Sequence, residues 1–478
     1  MNISKITTMR LSLLFAAALV MASALGAAPA TAPLKTAPSP ASPAFKPYKL
    51  DGLNTATFAR RAPPYYAVRY EASEKPGELQ MDVTFTVWVP PGVKRLRGVI
   101  VHQHGCGNGA GQGGATAAYD LHWQALARKW DCALLGPSYE MKEGQECRLW
   151  CDAIYGSDKA FLRALTDLGG KSGHPEMATV PWALWGHSGG GFWSSYMQAL
   201  YPERIAAIWL RSGAAWMAWE TGERVKPKMP AEAWDIPMAF NVGVEELIPT
   251  TETARQRLTW RRGFEVYREQ GALICWAPDP RSGHECLDSR YAAIAFFDSC
   301  LAQRLPEPGA KSQKLRPMNR QLAWIAESGT PKAQPAAEFR GTITAASWLP
   351  DERFAKVWMR YVVTGGPLDD TPPPAPFVVR VSEGNVIAWA ATADVESGLA
   401  GFIIERDGRE IARVPEKPTG YGRTGLALFQ GMTHGDTPVI AEPAMAFTDR
   451  TAKVGENHTY RVIAVNSAGL RSAGTNAE

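Results

Sequence analysis

Between residues 98 and 305, short continuous apolar runs alternate with longer stretches of helical period, and this alternation constrains the fold more than any other feature of the chain. The apolar runs span 98–102, 132–135, 183–185, 205–210, 238–242 and 272–276; the helical stretches span 115–130, 157–168, 190–200, 251–270 and 288–305. Apolar strands separated by helices imply an α/β architecture, a mostly parallel sheet with helices on both faces. Chemistry in such sheets gathers at the carboxyl ends of the strands. An earlier stretch, 80–89, reads differently. There Met81, Val83, Phe85, Val87 and Val89 alternate with mostly polar residues, the period-2 mark of a half-buried antiparallel strand.

The alternation stops near residue 305. Residues 306–370 carry Trp324, Trp348, Trp358 and Tyr361, too much aromatic content for disorder, and read as an irregular extension packed on the preceding body. The prolines of DDTPPPAP, residues 369–376, then mark a boundary. Beyond it come short strands at 377–381, 386–389, 402–406, 410–414 and 460–465, with an Asp407-Gly408 hairpin turn, which suggest an all-β sandwich over 371–478. The stretch from Pro415 to Phe447 is longer and richer in glycine than a sandwich needs.

The first residues follow another logic. Lys5 and Arg10 precede an apolar stretch from Leu11 to Ala27, followed by small residues and then an Ala/Pro-rich run. This is the pattern of a signal peptide over 1–28 and a linker over 29–60, so a secreted or periplasmic protein without a membrane anchor after cleavage is expected. Lys plus Arg exceed Asp plus Glu by only 51 to 47, which excludes a basic nucleic-acid track and a polybasic membrane patch. In an oxidising compartment the seven cysteines invite disulfides. Cys147, Cys151 and Cys286 are the better bridge candidates, and Cys132 and Cys275 lie in apolar strand-like runs that favour burial.

Directly after the apolar run 183–185 stands WGHSGGGF, residues 185–192. A nucleophile lifted from a strand-to-helix turn needs neighbours without side chains, and Gly186, Gly189 and Gly190 flank Ser188 accordingly. A serine hydroxyl is a poor nucleophile until a base takes its proton, and the base needs a carboxylate to hold its tautomer. His284, in the RSGHEC loop after the last apolar strand, is the histidine placed to reach the carboxyl edge of the sheet. Candidate acids are Glu245 and Glu246 after the strand 238–242, with Asp279 as a weaker rival.

In the order serine, acid, histidine, these motifs over residues 65–305 resemble the α/β-hydrolase superfamily. That resemblance implies a serine esterase whose acid sits three residues after a glycine such as Gly243, which selects Glu246. It also implies two oxyanion donors: the amide of Gly189, and, from the His-Gly signature matched by HGCG, the amide of Cys106 with Gly105 close behind. Trp389 and the run TYRVIAVNSAG, 459–469, resemble a fibronectin type III domain. The layout resembles secreted feruloyl, acetylxylan and polyhydroxybutyrate esterases. It departs from the tannase-like feruloyl group, which has cysteine where this chain has His187.

The pair His102 and His104 has no H-E-x-x-H helix or similar partner motif, so structural or oxyanion-loop support is expected, with no metal and no cofactor. In extended backbone the two side chains would share a face. Of seventeen tryptophans, Trp150, Trp185, Trp193, Trp216 and Trp219 fall near the serine, either as core or as an aromatic cleft. The expected partner is a small-molecule or polymeric ester, with polysaccharide contact through the C-terminal domain open. The alternatives are a peptidase resembling the prolyl oligopeptidase group and a catalytically inactive surface-binding protein.

Overall fold

A computed structural model describes residues 62–478 apart from 108–110, 112, 249–252, 311, 420–424 and 454, and all described residues belong to one compact unit. The expected signal peptide and linker lie outside them.

Strands β1 (Tyr65–Tyr70), β2 (Asp82–Trp88), β3 (Gly98–Gln103), β4 (Cys132–Glu140), β5 (Trp182–His187), β6 (Ile205–Arg211), β7 (Met238–Gly243) and β8 (Ile274–Asp279) form one eight-stranded sheet ordered β1-β2-β4-β3-β5-β6-β7-β8. The β1–β2 and β2–β4 pairs are antiparallel and every later pair is parallel. This mostly parallel sheet fits the α/β expectation. Strand β1 was not foreseen: it is a half-exposed edge strand without a clean alternation.

Helices α1 (Leu121–Lys129), α2 (Ser157–Ser172), α3 (Gly189–Leu200), α4 (Thr253–Glu269), α5 (Arg290–Arg304) and α6 (Glu352–Thr364) cover the sheet. Successive strand residues face opposite layers. Val99, Val101, Leu184, Ile208 and Leu210 join one core with Phe161 of α2, Trp193 and Tyr196 of α3, and Phe264 and Tyr267 of α4. Ile100, Ala183, Trp185, Ala207 and Trp209 join the other with Trp123 of α1, Phe296 and Phe297 of α5, and Phe354 and Trp358 of α6. Strands buried on both faces must be apolar throughout, which is why the runs are continuous.

The segment 306–370 is more regular than expected. It holds a three-stranded antiparallel sheet of β9 (Trp324–Ala326), β10 (Ala333–Pro335) and β11 (Ser347–Leu349), followed by α6. Asp351 caps α6 by accepting from the Phe354 amide at 2.9 Å, and Gly365, at φ 67°, ends it. Phe354, Ala355, Trp358 and Tyr361 form its buried stripe. Trp358 Nε1 donates to the Trp276 carbonyl (2.9 Å) and Tyr361 Oη to Asp279 Oδ2 (3.0 Å), which fastens the helix to β8.

The C-terminal part forms two antiparallel sheets. Strands β12 (Phe377–Ser382), β13 (Val386–Ala390), β14 (Gly401–Arg406), β15 (Arg409–Val414), β16 (Ala446–Thr448), β17 (Tyr460–Val465) and β18 (Thr475–Asn476) pair as β12-β13-β16 and β15-β14-β17-β18. Ile387, Trp389, Phe402, Ile404, Tyr460 and Val462 fill the space between them. Among the described residues no helix is long and apolar enough to cross a membrane.

Candidate active site

The sheet order reverses between β3 and β5: the chain runs from β3 outward to β4 on one side and from β5 to β8 on the other. Connections diverging from such a switch point leave a crevice at the carboxyl ends of the strands. Ser188 stands there, one residue past β5, at φ 52° and ψ −116°. A serine holds this strained conformation only where its surroundings dictate it. Its amide donates to the Arg211 carbonyl (2.8 Å) and its carbonyl accepts from the Gly191 amide (2.9 Å), which fixes the turn at both ends. The glycines are required by close approach: a Cβ on Gly186 would strike the Gly190 carbonyl, and one on Gly189 would strike Cys106 Sγ.

Glu246 lies in a 3-10 turn directly after β7, and His284 in the loop after β8. His284 Nδ1 donates to Glu246 Oε1 at 2.7 Å. Glu246 Oε2 accepts from Ser212 Oγ (2.5 Å) and from the Gly243 amide (3.4 Å), so both carboxylate oxygens are engaged. Burial alone would raise the Glu246 carboxyl, but the hydrogen bond and charge of His284, with help from Ser212 and Arg211, outweigh it and hold the carboxyl below its ordinary value. An ionised acceptor at Nδ1 favours the tautomer whose proton sits on that nitrogen. Glu245 is exposed. Asp279 is buried under Tyr361 and the Arg281 amide rather than beside His284.

Two buried side chains brace the histidine loop. Arg211, at the end of β6, donates from Nη2 to Ser282 Oγ (2.9 Å), to the Gly283 carbonyl (2.8 Å) and to the Glu285 carbonyl. His187 donates from Nε2 to the His284 carbonyl (2.8 Å). Burial, together with the neighbouring His284 and His434, holds His187 well below the usual imidazole value, so it is neutral and serves as a fixed donor.

Gly189 opens α3, where the first amides have no intrahelical carbonyl to meet. A Cβ on Gly189 would lie 3.4 Å from the Cys106 amide nitrogen, so the two expected oxyanion donors belong to adjoining backbone. Cys106 is bonded to Cys147. Closing a loop with a sequence separation of 41 removes about 4 kcal/mol of unfolded-chain entropy in the loop-closure account, and here it also holds the Cys106 segment against Gly189. The expectation for Cys151 and Cys286 is corrected: both are free and buried, as are Cys132, Cys275 and Cys300. Among the described residues the one cluster of metal-ligand type is Cys106, Cys147 and Cys151, of which two are already joined.

His102 and His104 do not share a face. β3 ends at Gln103, so the strand alternation no longer governs His104. His102 stacks on Trp185 at 3.9 Å in one core layer, whereas His104 packs against Trp150 (5.3 Å) and Tyr139 (6.1 Å) in the other. Burial pushes His104 down to about 4, which suits a neutral structural side chain. Trp150, Trp185, Trp193 and Trp219 are buried core residues, and Trp216 is half-buried.

Sequence reasoning missed the contribution of the stretch between β15 and β16. Asp436, fully buried, accepts from Arg290 Nε (2.8 Å) and lies 3.4 Å from both His102 Nε2 and Trp123 Nε1. Arg290 is completed by Asp120, whose two oxygens accept at 2.7 and 3.2 Å. His434, two residues earlier, brings its ring centroid to 6.1 Å from His284 and 5.7 Å from His187. The length and glycine content of 415–447 were the only signal.

No family model matches the sequence, and no curated protein matches it. Among solved structures the chain is similar to a cold-adapted esterase from an Arctic intertidal metagenomic library, at 13% identity over 50% of this chain and 93% of that one, with a TM-score of 0.31. It is similar to the enterobactin esterase of Shigella flexneri, at 15% identity over 46% of this chain and 54% of that one, with a TM-score of 0.30. An S-formylglutathione hydrolase from Agrobacterium tumefaciens has 14% identity over 46% of this chain and 88% of that one, with a TM-score of 0.29.

Proposed function

We propose that this chain is an exported serine hydrolase of the α/β-hydrolase type that cleaves carboxylic esters. The observation that carries the reading is the 2.7 Å bond between His284 Nδ1 and Glu246 Oε1, made at the edge of the sheet where Ser188 occupies its strained turn. Ser188 Oγ attacks the ester carbonyl while His284 Nε2 takes its proton. The carbonyl π electrons move to oxygen, and the amides of Gly189 and Cys106 receive that oxyanion. Collapse of the tetrahedral intermediate breaks the bond to the alcohol oxygen, which leaves with the proton from His284, and the acyl group stays on Ser188. Water then repeats the sequence through the same base and releases the acid. Glu246 orients the imidazole and offsets its charge while it is protonated.

Ester hydrolysis is tested by giving the purified chain p-nitrophenyl acetate and butyrate, feruloyl, acetylated-xylan and hydroxybutyrate esters, and a set of proline-containing peptides. Turnover of one or more esters with no peptide cleavage is the expected result. Peptide cleavage would favour the peptidase alternative, and inertness toward both would favour a binding protein. The C-terminal sheets are proposed to be a fibronectin type III-like domain.

A further inference from the structure

One corner of the large sheet, residues 211–213 at the end of β6, reaches each of the loops that carry the chemistry. The Arg211 carbonyl accepts from the Ser188 amide at 2.8 Å, and a Cβ on Gly213 would strike the Ser188 carbonyl, so the corner lies directly against the nucleophile turn. The Arg211 guanidinium holds the histidine loop through Ser282 Oγ and the carbonyls of Gly283 and Glu285. Between these contacts, Ser212 Oγ donates to Glu246 Oε2 at 2.5 Å. Nucleophile, acid and base follow three different strands, β5, β7 and β8, and this corner ties all of them to one piece of backbone.

Ser212 is buried and sits at φ 46°, in the left-handed region that a Cβ disfavours. Glycine enters that region freely, yet the chain places its glycine one residue later, at 213, where a Cβ has no room. What serine adds over glycine at 212 is the hydroxyl. The Ser212 amide donates to the Asn241 carbonyl of β7 at 2.8 Å, so that hydroxyl is presented from a fixed strand end. Strain of this kind persists where the surroundings dictate it, and it gathers at working sites.

We infer that Ser212 is a positioning residue for the reaction, one that acts through Glu246 by holding its carboxylate in line with His284. The inference rests on the serine-hydrolase reading above. A glutamate carries one more methylene than an aspartate, so one more torsion must be fixed before its carboxylate can meet an imidazole. The turn that bears Glu246, Val244–Leu247, contains no buried residue, and packing around it does little to fix that side chain. The bond to His284 occupies Oε1 and leaves Oε2 to set the plane of the carboxylate. Of the two donors at Oε2, the Gly243 amide stands at 3.4 Å, whereas the Ser212 hydroxyl stands at 2.5 Å, the length of a charge-assisted O–H···O⁻ bond. Without the hydroxyl, Oε2 keeps the longer contact and the side chain gains freedom to turn away from the base. Ser212 takes no part in the bond changes themselves.

The test measures kcat/KM for p-nitrophenyl acetate in the full chain and in Ser212→Ala, Ser212→Gly, Glu246→Ala and the double variant Ser212→Ala with Glu246→Ala, each corrected for its folded fraction by circular dichroism. Alanine keeps the Cβ and the backbone strain and removes the hydroxyl alone. Ser212→Ala should lower kcat/KM by about tenfold or more, as for one hydrogen bond to a charged group. Ser212→Gly relieves the strain but also lacks the hydroxyl, and it should lose as much. In the Glu246→Ala background, removal of the same hydroxyl should change the rate by less than about twofold, because no carboxylate is left to hold. An equal loss in both backgrounds would mean that Ser212 acts on the structure and not through Glu246, and would overturn the inference. So would wild-type activity in either Ser212→Ala or Ser212→Gly. A wild-type chain that hydrolyses no ester would overturn the serine-hydrolase reading, and this inference with it.

Discussion

Replacing His284 with alanine should lower kcat/KM for p-nitrophenyl acetate by about 10⁴-fold or more, because nucleophile and base act as a unit. The loop that carries His284 should survive the change. Its carbonyls are held by Arg211 and His187, both of which bind main-chain atoms rather than the imidazole. Circular dichroism and thermal unfolding of the variant should therefore stay close to the wild type while activity collapses. His187 cannot substitute as the base: it is buried, and its Nε2 is engaged with the His284 carbonyl. A loss of less than tenfold would point to His434 as the base instead.

The second large effect is on stability. Asp436→Ala should destabilise the whole chain by about 3–5 kcal/mol, measured as a lowered denaturant midpoint. Arg290 and Asp436 are both fully buried, and removal of the carboxylate strips Arg290 Nε, Trp123 Nε1 and His102 of their shared acceptor. Asp120 is then the carboxylate left to the guanidinium, beside Met432 Sδ and the main-chain carbonyl of residue 436. Leaving a buried guanidinium with one of its two carboxylates costs more than breaking an exposed pair, so the loss should exceed that of a surface ion pair. Because Asp436 belongs to the C-terminal part and Arg290 to α5, the two parts should unfold in one transition. Separate transitions, or a loss within 1 kcal/mol, would refute the buried pair as the clamp between them.

What the sequence made legible follows from local physics. The parallel strands could be read because burial on both faces demands unbroken apolar runs, and the elbow because Gly186 and Gly189 have no room for a Cβ. The preference for Glu246 over Glu245 came from family resemblance, and the structure sets Glu246 against His284 while Glu245 is exposed. Features that depend on chain separation were not legible. Cys106 meets Cys147 across 41 residues, a pairing that spacing does not encode, and Cys286, favoured for its place near His284, is buried without a bridge. Helix α6 carried readable signals, the Asp351 cap and the Gly365 stop, but the prolines and glycines around it masked its stripe. Asp436 sits 146 residues from its partner Arg290, and His434 sits 150 from its neighbour His284, in a stretch whose own sequence, HGDTP, reads as a turn.

The central claim is that Ser188 is the nucleophile. Treatment with a fluorophosphonate, followed by proteolysis and mass mapping of the adduct, tests it most directly, since such probes phosphonylate only a serine whose proton is being removed. The account predicts one adduct per chain, on Ser188 and abolished in Ser188→Ala. An adduct on another residue, or none on a folded chain, would contradict it.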